Sequence, residues 1–174
     1  MSKFKRIIRY DLPIHFALLL TNWLPDNVIF LRFRGWLISP FFKKCGKNLR
    51  LGRNITFYQS FNIEIGDDVY IALGNWFCAS TTIKIASEVQ FGPYCIIVSG
   101  NHSRKNGSFR YADPVIKPIE IGFGTWIGGN CSVLAGSEIG KGSVISANSV
   151  VKGEVPPNSL FVGNPGSVVK TFHD

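Results

Sequence analysis

Few side chains in this chain can exchange protons or bind metal near neutral pH. They are His15, His102 and His173, together with Cys45, Cys78, Cys95 and Cys131. An imidazole with a pKa of about 6.5 can take the proton of an attacking hydroxyl, so each histidine has the chemistry of a general base. The cysteines lie far apart, with no CxxC pair and no histidine at zinc-finger spacing, which argues against structural zinc. With no secretion signal to accompany them, they are expected to be buried thiols in a reducing, cytosol-facing compartment.

The elements that position these residues follow a six-residue period. Ile121, Ile127, Val133, Ile139, Ile145 and Val151 fall in one phase, Gly122, Gly128 and Gly140 come next, and the fifth place is small in Thr125, Cys131, Ser137, Ser143 and Ser149. Six fits neither a helix nor ordinary strand alternation. The phase continues upstream through Leu51 and Phe57, then Ile65, Ile71 and Phe77, then Ile85, Phe91 and Ile97, with a slip of two residues at each break. The phrases at 49–52, 63–66, 83–86, 119–122 and 137–140 align as one recurring rung. Three hexads make a triangular coil, which predicts an all-β solenoid of about five coils over residues 49–170, on the order of 25 Å long. Cys95 and Cys131 occupy small fifth places and are expected to fill the core. One insertion, at 98–118, interrupts the repeat, and His102 stands at its start; His15 and His173 fall outside the coils, the latter in a short tail at 171–174.

Residues 1–48 lack the period. Ile7, Ile8, Leu12, His15, Phe16 and Leu19 recur at helical spacing, and a second apolar stretch at 28–42 has Arg32, Arg34, Lys43 and Lys44 in or beside it, with Pro25 and Pro40 as punctuation. The uncharged run at 12–25 is shorter than the roughly 20 residues that cross a bilayer, and no cleavage motif follows it. The chain has 174 residues, 45% hydrophobic and 17% charged, which excludes disorder and two large domains. Its formal charge is +8, and residues 1–50 account for it with ten Lys and Arg against Asp11 and Asp26. No basic stripe with interleaved stacking aromatics runs through the repeat, so nucleic acid is not an expected partner. Two readings of the N-terminal segment stand: a helical cap that also meets a neighbouring subunit, or a peripheral contact with an anionic membrane at the inner face of the cytoplasmic membrane.

From residue 119 to 170 the phrases WIG (126–128), SANSVV (146–151), PPN (156–158) and GNP (163–165) occur in order. In these the chain resembles the hexapeptide-repeat acyltransferases of the galactoside, maltose and nodulation acetyltransferase group, and the similarity extends back to about residue 49. The resemblance implies a left-handed parallel β-helix with an N-terminal helical segment and one extruded loop. It also implies a homotrimer with active sites between subunits, and acetyl-CoA as cosubstrate with no metal. His102 matches the family's catalytic base. Gly129 matches the backbone donor for the oxyanion, and a fixed N–H there would need no reorganisation. Trp126 matches the aromatic beside the acceptor pocket and Asn75 an acceptor-binding position. Ala147 falls where the pantetheine arm approaches the backbone, and Lys152 and Lys170 fall near phosphate-contacting turns. Ser103 follows His102 where relatives often carry a carboxylate, so Asp113 is one group that could orient the imidazole. GNPG replaces the commoner G-x-P-A, and Gly153 stands where the phosphate-turn lysine is expected.

The same type of prism supports γ-class carbonic anhydrases, whose zinc needs three histidines; here two of the three lie outside the coils. A non-catalytic assembly protein on the same solenoid is the alternative from another class, and stoichiometric acetyl-CoA binding separates the two. The long helical domain of serine acetyltransferases and the C-terminal helices of lipid A acyltransferases have no counterpart in this sequence. The basic apolar N-terminus is similar to that of acetyltransferases of capsule, exopolysaccharide or O-antigen assembly. Acetylation of a sugar hydroxyl is therefore the expected reaction, with an antibiotic or amino sugar as the alternative acceptor.

Overall fold

The hexad aliphatics point into a shared three-sided interior in the computed structural model, which describes residues 3–173. The first face stacks Lys44–Cys45, Ile63–Ile65, Ile83–Ile85, Ile119–Ile121, Glu138–Ile139 and Glu154–Val155 in parallel. The second stacks Arg50–Leu51, Tyr70–Ile71, Gln90–Phe91, Trp126–Ile127, Val144–Ile145 and Ser159–Gly163. Thr56–Tyr58, Trp76–Cys78, Ile96–Val98, Ser132–Val133 and Val150–Val151 form the third. This is the architecture of a left-handed parallel β-helix.

Pairing begins at Lys44–Cys45, ahead of the expected start at Leu49, and gives five complete coils and the opening of a sixth. The first rung escapes the hexad pattern because Cys45 replaces an aliphatic among lysines. The phrase at 49–52 also belongs elsewhere: Leu51 pairs with Ile71 on the second face, not with Ile65 on the first. Both faces leave their strands through corners of one kind, where the close approach of the next coil favours a small residue such as Gly52, Ala72 or Ala86. A Cβ at Gly52 would stand 2.6 Å from the Leu73 nitrogen.

At the corners after the first and second faces one residue takes the left-handed conformation, among them Asp68, Glu88, Asn130 and Asn148. Its N–H donates to the coil below, as from Asp68 to the Lys47 carbonyl at 2.9 Å and from Asn148 to the Gly129 carbonyl at 3.0 Å. The small fifth residues are buried and their polar atoms serve the turns: Ser137 Oγ donates to the Leu134 carbonyl at 2.7 Å and Thr125 Oγ1 to that of Gly140 at 3.2 Å. A hydroxyl in this place fills space and satisfies an inward carbonyl together. Phe57 and Phe77 stack with ring centroids 5.1 Å apart, and Phe91 meets Phe77 edge to face at 5.4 Å.

The two-residue slips lie at the corner between the third and first faces, and the long insertion leaves the third coil at that same corner. The ladder beneath is undisturbed, with Ile83 opposite Ile119 and Ile85 opposite Ile121. The far end holds a strand that the sequence reading lacks: Gly166–Thr171 turns back antiparallel on Ser159–Gly163.

At the near end, α1 (Lys3–Arg6) passes through a π-helical stretch (Ile7–Asp11) into α2 (Leu12–Thr21), and α3 (Val28–Ile38) follows, its N-cap Asn27 accepting from the Phe30 N–H at 3.1 Å. Ile14, Leu18 and Ile38 join the core of the first coil. Arg34, read from sequence among the basic residues of an apolar stretch, is instead wholly buried, bonded to Asp26 and to the Leu51 carbonyl. Among the described residues no helix is long and apolar enough to cross a membrane.

Candidate active site

Gly100–Asn101 pairs antiparallel with Val115–Ile116, which pins the root of the insertion, and His102 is the first residue past that ladder. Its imidazole is exposed. Ser103 Oγ donates to the main-chain carbonyl of Asp113, so the strands of the loop are tied just beyond the histidine. Asp113 enters that contact through its backbone, and among the described residues no carboxylate bonds to His102. The loop also exposes Arg104, Lys105, Arg110 and Lys117, with Phe109 and Tyr111 exposed just after its Asn106–Gly107 turn. Sequence reasoning passed over these residues; their composition, basic and aromatic within one short insertion, was the available signal.

Gly129 lies on a different corner, between the second and third faces. It precedes Asn130, which turns the chain with a φ of +58°. Among the described residues no acceptor bonds to the Gly129 N–H, whereas the N–H groups on either side bond to the Ile145 and Pro93 carbonyls at 2.8 Å. Pro93 occupies the equivalent place one coil earlier and has no N–H to offer. A Cβ at Gly128 would stand 2.6 Å from the Ala147 nitrogen, but one at Gly129 would meet Pro93 alone, its ring at 3.2 Å and its carbonyl oxygen at 3.4 Å. Packing therefore favours glycine at 128 and leaves room for a side chain at 129. Ala147 stacks on the next coil of the same corner, where Asn130 Nδ2 donates to Asn148 Oδ1 at 2.7 Å. The Gly163–Gly166 turn closes the end of that corner, and the Gly163 N–H donates to Ser149 Oγ at 2.9 Å.

Trp126 projects outward from the second face between Gln90 and Val144 and is 55% exposed. Asn75 does not reach an acceptor pocket: it is fully buried, donating to the Ala72 and Gly92 carbonyls and accepting from the Cys95 N–H. It is the fifth residue of the hexad that begins at Ile71, and this corrects the expected role. Lys152 is exposed on the corner that bears the insertion, two coils further on. Lys170 stands on the antiparallel last strand opposite Leu160, 5.5 Å from the Phe172 ring centroid. His15 lies on α2 in a groove with Asn54 and Thr56. Among the described residues no three His, Cys, Asp or Glu side chains converge to hold a metal.

The expected residues thus form two groups. Gly129, Ala147 and the 163–166 turn share one corner, with Trp126 on the adjoining face, and His102 and Lys152 share another. One side of the prism, about six residues and so ~20 Å of extended chain, separates the two corners.

Residues 118–153 match the family model described as bacterial transferase hexapeptide (six repeats). The Escherichia coli K12 protein named for lipopolysaccharide biosynthesis O-acetyl transfer, WbbJ, is 34% identical over 144 residues, covering 74% of this chain and 68% of that protein. Galactoside O-acetyltransferase of the same strain is 34% identical over 143 residues, covering 80% of this chain and 62% of the relative. The structure of the hexapeptide-repeat acetyltransferase VCA0836 from Vibrio cholerae, complexed with acetyl-CoA, superposes with a TM-score of 0.84 at 26% identity over 99% of this chain and 91% of that one. With this repeat, this insertion and this identity, the chain belongs to the hexapeptide-repeat acetyltransferase family.

Proposed function

We propose that the protein moves an acetyl group from acetyl-CoA to a hydroxyl of a sugar in the assembly of a surface polysaccharide. Bound acetyl-CoA supplies the acetyl thioester. His102 takes the proton of the acceptor hydroxyl as its oxygen forms the new C–O bond, and delivers that proton to the sulfur as the C–S bond breaks. The Gly129 N–H faces the negative charge that gathers on the carbonyl oxygen. Trp126 flanks the acceptor, and Ala147 leaves room beside the backbone for the pantetheine arm. Lys152, Lys170 and the basic loop residues offer charge to the phosphates.

The observation that carries this reading is a free backbone donor at a corner with space beside it, on a solenoid whose one insertion begins at a histidine. Because the histidine and the donor occupy different corners of one chain, we place the active site between subunits of a homotrimer, with His102 of one subunit facing Gly129 of the next. A cytoplasmic location agrees with four cysteines that form no disulfide. The test is incubation with acetyl-CoA and a panel of sugars, nucleotide sugars and lipid-linked oligosaccharides, following free thiol and product mass. The expected result is an acetylated glycan with wild type and a loss of about a hundredfold or more in His102→Ala. Unchanged turnover in that variant would refute the mechanism.

A further inference from the structure

Helix α2 holds no Asp, Glu, Lys or Arg, and it buries Ile14, Leu18 and Thr21 against the first coil. Its opposite side is equally apolar: Leu12, Phe16, Leu19 and Leu20 are exposed, and the stripe runs on into Trp23, 78% exposed. Helix α3 repeats the arrangement, with Leu31, Gly35 and Ile38 inward and Ile29, Phe33 and Trp36 outward, Trp36 being 70% exposed. A helix on the surface of a water-soluble domain ordinarily turns a polar side outward. These two bury one side on the same end of the prism, so their apolar outer sides both look away from it.

Charge decides what covers them. Of the two acidic residues in the first fifty, Asp26 is committed to Arg34 and Arg53 at 2.8 and 3.4 Å, and Asp11 is partly buried beside Gln59. Arg32 is exposed within the outer stripe of α3, and Lys44 and Lys47 are exposed at the adjoining coil. A second copy docking face to face would bring two basic helical faces together, because the acids that flank Lys44 and Lys47, Glu64 and Asp67, lie on the coil and not on the helices. An anionic bilayer surface supplies apolar depth and negative headgroups together. Tryptophan suits that boundary, and the Trp23 indole is already oriented, its Nε1–H donating to the Leu20 carbonyl at 2.8 Å.

We propose that the outer sides of α2 and α3 seat the protein in the interfacial layer of an anionic lipid bilayer, with both helices lying along the surface and Trp23 and Trp36 at headgroup depth. This seat is independent of the transfer chemistry.

The test is cosedimentation of the full chain with vesicles of phosphatidylcholine alone and of phosphatidylcholine mixed with phosphatidylglycerol. Wild type is expected to bind the mixed vesicles about tenfold more strongly, less so in high salt, with tryptophan emission that brominated lipid quenches. The double variant Leu20→Glu with Ile29→Glu is expected to lose binding about tenfold or more while keeping its melting curve and its acetyl-CoA cleavage. Arg32→Glu, at an exposed position, is expected to reduce only the preference for the anionic vesicles. Failure of wild type to bind either vesicle would overturn the proposal, as would equal binding by wild type and the double variant. Sedimentation velocity showing an assembly that the double variant dissociates would also overturn it, by assigning the surface to a second copy.

Discussion

His102 and Gly129 belong to the same chain but to different corners of its prism, with the third face between them. In the proposed mechanism a base and an oxyanion donor placed this way meet at one thioester from neighbouring subunits of a trimer. Two inactive variants, His102→Ala and Gly129→Leu, should therefore complement. Unfolded together and refolded as random trimers, they should regain about one quarter of wild-type activity, because each mixed trimer holds one intact pairing among its three sites. Activity assays on the refolded mixture check this, and no recovery would locate the site within one chain.

Gly128 and Gly129 are adjacent and should respond differently to alanine. At Gly128 the added carbon meets the main chain of the next coil, which cannot yield, so Gly128→Ala should cost about 1–3 kcal/mol. At Gly129 it meets only the edge of Pro93, so Gly129→Ala should melt close to wild type. Its methyl group nonetheless enters the space beside the free N–H, and kcat/KM should fall about tenfold to a hundredfold. Thermal melts and steady-state kinetics on both variants separate the two effects.

Arg34 joins the helical cap to the prism through Asp26 and the carbonyls of Thr21, Leu24 and Leu51. Replacing it with methionine keeps much of the volume, removes the donor to the Leu24 and Leu51 carbonyls and leaves Asp26 with Arg53 alone. Arg34→Met should lose about 3–5 kcal/mol in urea unfolding, as breaking one side of a buried pair does.

Cys45 is half-buried on the first rung, and burial, aided by the Asp67 carboxylate, pushes its thiol up to about 11. At neutral pH its alkylation should run roughly a hundredfold slower than that of a free thiol, and should accelerate as pH climbs toward 11. Asp67→Asn should speed it. Because the folded thiol titrates above the unfolded one, its contribution to stability is whole below the unfolded pKa and is lost as pH rises through about 11. Mass-spectrometric alkylation rates across pH check both statements.

The interior was legible in the sequence because each strand places one large aliphatic inward and each corner requires a small residue soon after it. Ile121, Ile127 and Val133 therefore advertise three faces. The same rule hid the first rung, where Cys45 stands among lysines, and made the 49–52 phrase look like the wrong face. Val168 and Val169 carry no sign that their strand runs antiparallel. Within the site, His102 stood out because it breaks the period. The place of Asn75 was readable as the fifth residue of the hexad that begins at Ile71, and the weight given to its amide chemistry obscured that. Phe109, Tyr111 and the loop cations follow no period, so their type alone reports their exposure.

The corner between the third and first faces accepts two extra residues in the first coil, two in the second and a long excursion in the third, while the rungs above and below stay in register. The prism can keep its packing while this one corner is lengthened, shortened or rewritten, so the loop that carries His102 can change without a new fold.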